Sequence, residues 1–311
     1  MSKKILVSGS IAFDVIMSFD GIFSETIDST QKNIGAAFLV HELKKHFGGC
    51  ATNISYNLRL LGEDPILLGS VGSDFQEYQL ALQEIGIRTS FIKKHDDVYT
   101  AQAFITTDKS GNQLTSFYPG AMNLSHLNEI PPDDIAVAII SPDGYEGMLT
   151  RIRQCEDRSI KFLFDPGQGL PMFSKKDLVS CVEKASFIAF NEHEWVLFQK
   201  LSGLTMSDLM IMGKVVIVTL GAEGSRISFD QNEIYTPSIN VDNPLDPTGC
   251  GDAFRAGLLY GYINDLDWSD SAKVATTMGA FAVQYEGTQS HNFNKEQFNH
   301  LLYENFNLNI S

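Results

Sequence analysis

Six short runs constrain this chain more than anything else in it: KKILVSG, PILLGSVG, IAVAIIS, KFLFDP, SFIAFN and KVVIVTLG. Each is apolar on both faces and ends in Gly, Ser, Asp, Asn or Pro, the pattern of a strand buried inside a parallel sheet. Segments of helical period lie between them. In ISYNLRLLG, Ile54, Leu58 and Leu61 share one face, and FQEYQLALQEIG follows a similar pattern. Strand and helix alternate, so the predicted class is α/β, with an open, mostly parallel sheet carrying helices on both sides. A chain of 311 residues, 43% of them hydrophobic, can bury a core of that size. No internal repeat, low-complexity tract or linker divides residues 1–311, which read as a single domain.

Two regions break the rhythm. AFDVIMSFDGIF and NIGAAFLVHEL lie in the N-terminal third, and YTAQAFITTDKSGNQLTSFYPGAM lies in the middle, where DKSGN reads as a hairpin turn between two strands. These segments, roughly residues 12–20, 33–43 and 99–119, are expected to form a small separate sheet. Such a sheet is either a flap that excludes water from a pocket or an ordinary edge sheet.

Composition narrows the function classes. A net charge of -15 disfavours nucleic acid or an anionic membrane as a main partner, since both would repel this surface. The four cysteines, Cys50, Cys155, Cys181 and Cys250, show no CxxC or Cys/His spacing, and no long apolar stretch follows the opening KKILVSGS. That usage points to a reduced, cytoplasmic protein without disulfides or zinc. The seven histidines stand singly, with no ligand spacing. No apolar run approaches the 18 or so residues a membrane span needs.

In an open α/β sheet, ligands gather at the C-terminal ends of strands, so the loops there carry the candidate chemistry. VSGSIAFD sets Gly9, Ser10 and Asp14 after the first strand, where a carboxylate can accept from sugar hydroxyls. In HFGGCATN, Gly48 and Gly49 allow close backbone approach, and Asn53 can both donate and accept. In NEHE, Asn191 and Glu194 share a face of a first helical turn; they suit either magnesium or a capping box. TLGAEG, with Thr219, Gly221 and Gly224, suits either a phosphate-lining turn or a hairpin. The most specific stretch is DPTGCGDAFRAGLLYG. There Thr248, Gly249, Cys250 and Gly251 lead into a helix whose free amides can hold an anion. Asp252 follows them, either as a cap or as the base that receives a proton from an attacking hydroxyl. The helix dipole is expected to favour its ionised form.

DPTGCGDAFRAGLL resembles the C-terminal signature of the ribokinase-like (PfkB) family of sugar and nucleoside kinases. GS with Asp14, GGCATN, VGSD, NEHE, TLGAEG and EGTQ occur in that family's order along nearly the whole chain. The resemblance implies a three-layer α/β/α domain with a small β-sheet lid, and an ATP-dependent phosphotransferase. It implies that Asp252 is the base and that the amides of Gly249, Cys250 and Gly251 form an anion hole. Ser10, Asp14, Gly48, Gly49 and Asn53 would bind the acceptor, while Asn191, Thr219, Gly221, Gly224, Gly287 and Thr288 would bind ATP. Asn191 and Glu194 would organise Mg²⁺, largely through its waters, and Asp246 and Thr248 would neighbour a K⁺ site. A homodimer through the lid is implied as well.

Within the family, GSIAFD, SFYPGAM, DPGQ and DPTGCGDAFRAG look most like bacterial-type adenosine kinases. That similarity places Phe117 on a nucleobase and Gln168 beside it, and makes adenosine the first expectation. Ala103 stands where another aromatic can occur and Gly169 where a second amide can occur, so inosine, guanosine, another nucleoside or a sugar stays open.

Overall fold

The computed structural model describes residues 4–27 and 36–310. The chain runs β1 (Lys4–Ser8), β2 (Ala12–Phe19), α1 (Phe23–Thr26), β3 (Val40–Gly48), α2 (Cys50–Leu60), β4 (Ile66–Val71), α3 (Gln76–Glu84) and β5 (Ile92–Lys94). A hairpin of β6 (Ala101–Thr107) and β7 (Gln113–Tyr118) follows. Next come β8 (Ile135–Ile140), α4 (Tyr145–Asp157), β9 (Phe162–Phe164), α5 (Lys175–Lys184), β10 (Phe187–Asn191), α6 (Glu192–Ser202), α7 (Met206–Ile211) and β11 (Val215–Thr219). The hairpin β12 (Ser225–Phe229) and β13 (Asn232–Thr236) precedes three helices, α8 (Cys250–Ile263), α9 (Trp268–Ala282) and α10 (Lys295–Phe306).

Among the described residues, nine strands form the main sheet in the order β13-β12-β11-β10-β9-β8-β1-β4-β5. The pairs from β11 through β1 to β5 are parallel, and β12 and β13 add antiparallel. Side chains alternate between two cores. Ile5, Val7, Val137, Ile139, Leu163, Ala189 and Ile217 face α2, α3, α8, α9 and α10. Their neighbours Leu6, Ala138, Ile140, Phe162, Phe164, Ile188, Val216 and Val218 face α4, α5, α6 and α7. The doubly apolar runs are thus covered on both faces, which makes three layers. Burying each Leu, Ile or Phe contributes about 1.5–3 kcal/mol.

The chain leaves β1 toward β4 on one side and returns through β8 on the other, so the strand order reverses at β1. In an open α/β sheet, the carboxyl ends of the strands at such a reversal are where ligands bind. The four-stranded small sheet, β3-β2-β6-β7, is built from two insertions, β2 and β3 after β1 and the β6–β7 hairpin after β5. Its hairpin turn is braced by Asp108, whose carboxylate accepts from the amides of Ser110 and Asn112 at 2.9 Å each. One edge strand of this sheet lies later than its sequence suggested: β3 spans Val40–Gly48, while residues 33–35 of the expected segment lie outside the described residues.

Candidate active site

Ser8, at the end of β1, leads into Gly9 and Ser10 at the switch point. Ser10 ties the loops there together. Its amide donates to Pro142 O at 2.8 Å, its carbonyl accepts from Ala51 N at 3.1 Å, and its hydroxyl accepts from Cys50 N at 3.1 Å. Gly48 closes β3 and Gly49 caps α2. A side chain at position 48 would collide with the Asp14 carboxylate, which lies 2.4 Å from where its Cβ would be. Burial pushes the Asp14 carboxyl up, with His46 pulling it down and Asp246 adding to the rise.

The strand register lines up one face of the small sheet. His46 pairs with Asp14, Asp14 with Ala103, and Ala103 with Phe117, so the four side chains share a face. Phe117 is 51% exposed there. Gln168 is exposed too, on a 3₁₀ turn after β9 (Gly167–Met172), while Gly169 on the same turn is buried near Met148 and Met172.

At the start of α8, Gly249 takes a left-handed conformation (φ 81°) that only glycine adopts cheaply, and Thr288 packs at 3.0 Å from where its Cβ would be. The amide of Cys250 donates to Pro247 O at 3.2 Å. It therefore points into its own loop, a correction to the expected set of three outward amides that leaves Gly249 and Gly251 in that set. Asp252, in the first turn of α8, accepts a 2.8 Å hydrogen bond from Asn53 Nδ2. The helix dipole alone predicts a low pKa for this carboxyl, but burial pushes it up to about 7. Asn53 and Arg255 pull it down, and Asp165 raises it further. Desolvation outweighs the dipole because the helix offers only a partial charge, whereas the carboxyl gives up much of its hydration shell.

Arg255, one turn on, forms a buried fork with Asp165, Nε to Oδ2 at 2.9 Å and Nη2 to Oδ1 at 3.3 Å. Burial works against its charge, but Asp165, with Glu194 and Asp252 adding to the effect, outweighs it and holds the guanidinium charged. Asn191 and Glu194 make a reciprocal capping box at 2.8 Å in each direction, so one of the two readings of NEHE is realised as local structure. The Glu194 carboxyl is still pushed up, by burial and then by Asp165. Two carboxylates that repel each other, Glu194 and Asp165, suit a hard cation. Among the described residues no group of three or more His, Cys, Asp or Glu could hold a metal alone. Carboxylate oxygens are hard donors of the kind Mg²⁺ takes, and its remaining ligands would come from outside the protein.

Thr219, at the end of β11, stands beside Asn191 in the sheet. Gly221 and Gly224 flank the 3₁₀ turn that links β11 to β12, so this stretch is also a hairpin connection. Asp246 braces the neighbouring loops, accepting from Thr248 N at 2.9 Å and Gly287 N at 3.0 Å. Burial pushes its carboxyl up, but these hydrogen bonds prevail and hold it below the usual range. Thr288 reaches across to the small sheet, donating to Phe47 O at 3.1 Å.

Residues 3–295 match the model of the pfkB family of carbohydrate kinases. The chain belongs to that family. It is an ATP-dependent kinase. It is 30% identical over 292 residues to a nucleoside kinase of Methanocaldococcus jannaschii, covering 93% of each chain. Among solved structures, the kinase resembles a nucleoside kinase of Burkholderia thailandensis in complex with inosine. That comparison gives a TM-score of 0.89 and 36% identity, covering 98% of this chain and 99% of that one. The same Burkholderia protein in complex with ADP-inosine gives 0.87 and 37%, covering 98% and 97%.

Sequence reasoning missed Tyr78, Gln289 and Asp165 as parts of this site. Gln289 and Asp165 stand inside the quoted EGTQ and DPGQ, whereas Tyr78 carries no signal beyond its place on an apolar helix face.

Proposed function

We propose that this kinase transfers the γ-phosphoryl group of ATP to the 5′ hydroxyl of a purine nucleoside, accepting both adenosine and inosine. The observation that carries this reading is the hydrogen bond from Asn53 to Asp252, which joins the acceptor side of the site to the helix start that would hold the transferred group. Asp14 and Asn53 grip the ribose hydroxyls, and Ser10, Gly48 and Gly49 shape the loop around them. Phe117 stacks on the base, with Gln168 at its edge. Ala103 and Gly169 offer no side-chain polar group to read the base, which is why two 6-substituents are tolerated.

Asp252 receives the hydroxyl proton while the 5′ oxygen bonds to phosphorus and the bond to the ADP oxygen breaks. No covalent enzyme intermediate is needed. The amides of Gly249 and Gly251, with the dipole of α8, take up charge on the phosphoryl oxygens. Asn191, Thr219, Gly221, Gly224, Gly287 and Thr288 line the nucleotide. Glu194 and Asn191 would hold Mg²⁺, which would supply neutralisation of phosphate charge. The ionised Asp246, beside Thr248, is the proposed monovalent-cation neighbour. The small sheet acts as a lid, made of β2, β3 and the β6–β7 hairpin. Its edge strand β7 exposes Leu114 and Tyr118 on the face away from Phe117, apolar surface that a second copy would cover.

ADP release measured with adenosine, inosine, guanosine, ribose and fructose, with Mg²⁺ and with or without K⁺, tests this reading. Turnover of adenosine and inosine far above the free sugars is expected. A sugar preference without nucleoside turnover would overturn it.

A further inference from the structure

Gln289 is absent from the set of groups that would touch either substrate, yet its side-chain amide is bonded into the centre of the site. Its Nε2 lies 2.8 Å from Asn53 Oδ1 and 2.6 Å from the Tyr78 hydroxyl. We propose that Gln289 is a positioning residue for Asp252, acting by fixing which end of the Asn53 amide faces that carboxylate. The inference rests on the reading of Asp252 as base.

The polarity of every bond in this chain is determined. A primary amide donates at nitrogen and accepts at oxygen, and an ionised carboxylate only accepts. Asn53 is therefore useful to Asp252 in one orientation, with Nδ2 toward the carboxylate at 2.8 Å. Flipped, it would set its carbonyl against a negative charge. Gln289 blocks the flip by presenting a donor to Asn53 Oδ1. Gln289 is itself oriented by Tyr78, whose hydroxyl donates its one proton to Gly48 O at 3.0 Å and so accepts from Gln289.

This anchor is rigid. Tyr78 is fully buried, and its ring stacks on Phe47 at 4.3 Å with an interplanar angle of 10°. The backbone on either side of Gln289 is fixed as well, through Gly287 to Asp246, Thr288 to Phe47, and His291 to Asn57 at 2.8 Å. The groups facing Asp252 are Asn53 and Cys50 from α2, Arg255 from α8 and Asp165 beyond β9. Of these, Asn53 is the group that a flip would turn from a donor into an acceptor.

The test is the pH dependence of kcat/KM for the nucleoside in Gln289→Leu and Gln289→Glu. Leu removes the donor and loosens Asn53, so the acid limb moves up by about one pH unit. Glu accepts the Asn53 N–H instead, turns its carbonyl toward Asp252, and moves the limb further than Leu does. KM for ATP stays within about twofold in both, because the role is exerted on the base. An unmoved limb, equal shifts in the two variants, or a defect confined to KM for ATP would overturn the proposal. Should Gln289→Leu fail to fold, Tyr78→Phe removes only the hydroxyl that orients Gln289. An upward shift there supports the proposal and an unmoved limb rejects it. Asp252→Asn separates the two levels of inference. Turnover within tenfold of wild type removes the base itself, whereas an inactive Asp252→Asn with an unmoved limb in Gln289→Glu removes only the role of Gln289.

Discussion

Asp252→Asn is expected to make the kinase more stable while nearly abolishing turnover. Holding a carboxyl at about 7 rather than its ordinary 3.8 costs the folded state about 4 kcal/mol once the group is ionised. Between those values the native chain binds the proton more tightly than the unfolded chain, so stability falls as pH rises through about 4 to 7. Asn at 252 is neutral throughout and can still accept from Asn53. Its advantage is therefore near zero at pH 4, grows through pH 4 to 7, and is complete above pH 7. At about 2.1 cal/mol/K of unfolding entropy per residue, 4 kcal/mol over 311 residues raises Tm by up to about 6 °C. Solvent reaching the partly exposed side of Asp252 reduces that figure, so it is an upper bound. Thermal melts of both proteins at pH 5 and pH 8 measure the difference, and coupled ADP release measures the loss of turnover, about 10²–10⁴-fold for a missing general base. A variant no more stable than wild type at pH 8 would refute the buried, costly carboxylate. Turnover within tenfold would refute its role as base.

Other substitutions probe the surrounding parts. Arg255→Met leaves Asp165 buried and unpaired, so stability should drop by about 3–5 kcal/mol in urea titrations; the acid limb of kcat/KM should also move up, because Arg255 pulls the Asp252 pKa down. Glu194→Gln retains a side chain that can complete the capping box, so Tm should hold, while the Mg²⁺ concentration for half-maximal velocity rises about tenfold, or 1.4 kcal/mol. Phe117→Ala should raise KM for the nucleoside about tenfold, from the loss of 1–3 kcal/mol of base stacking. It should leave Tm unchanged, since half of that side chain is exposed. A normal KM in Phe117→Ala would show that the ring serves the sheet edge rather than the base.

The main sheet was legible because its strands are buried on both faces, and unbroken apolar runs of that length have few other solutions. The β3 strand was misplaced because its sequence, VHELKKHFG, forms a mostly exposed edge and carries little apolar signal beyond its ends. Only the structure makes HFGG the end of that strand, which is how Gly48 comes to lie against Asp14. The pKa of Asp252 was misjudged for a related reason. A helix start is visible in DPTGCGDAF, but the burial that overrides its dipole is contributed by residues far away in the chain. Asn53 is 199 residues from Asp252, and Asp165 is 90 from Arg255. Asn191 and Glu194 were ambiguous because a capping box and a magnesium-water site require the same two residue types at the same spacing. The structure realises the cap without removing the charge that a cation would answer.

Burial of Asp252 connects these observations. A carboxyl at its ordinary pKa would be a poor acceptor for a hydroxyl proton near neutral pH, whereas one near 7 is matched to the task. Reaching that value by desolvation alone would leave the charge unsupported when it forms. Asn53 supplies a donor on one side and Arg255 a charge on the other, and each is itself held, Asn53 by Gln289 and Arg255 by Asp165. Asp252 is thus raised by its surroundings and steadied by two partners that are themselves held, which is what the proposed base, receiving its proton late, requires. Loosening either partner should therefore move the acid limb in the same direction, upward, by separate routes.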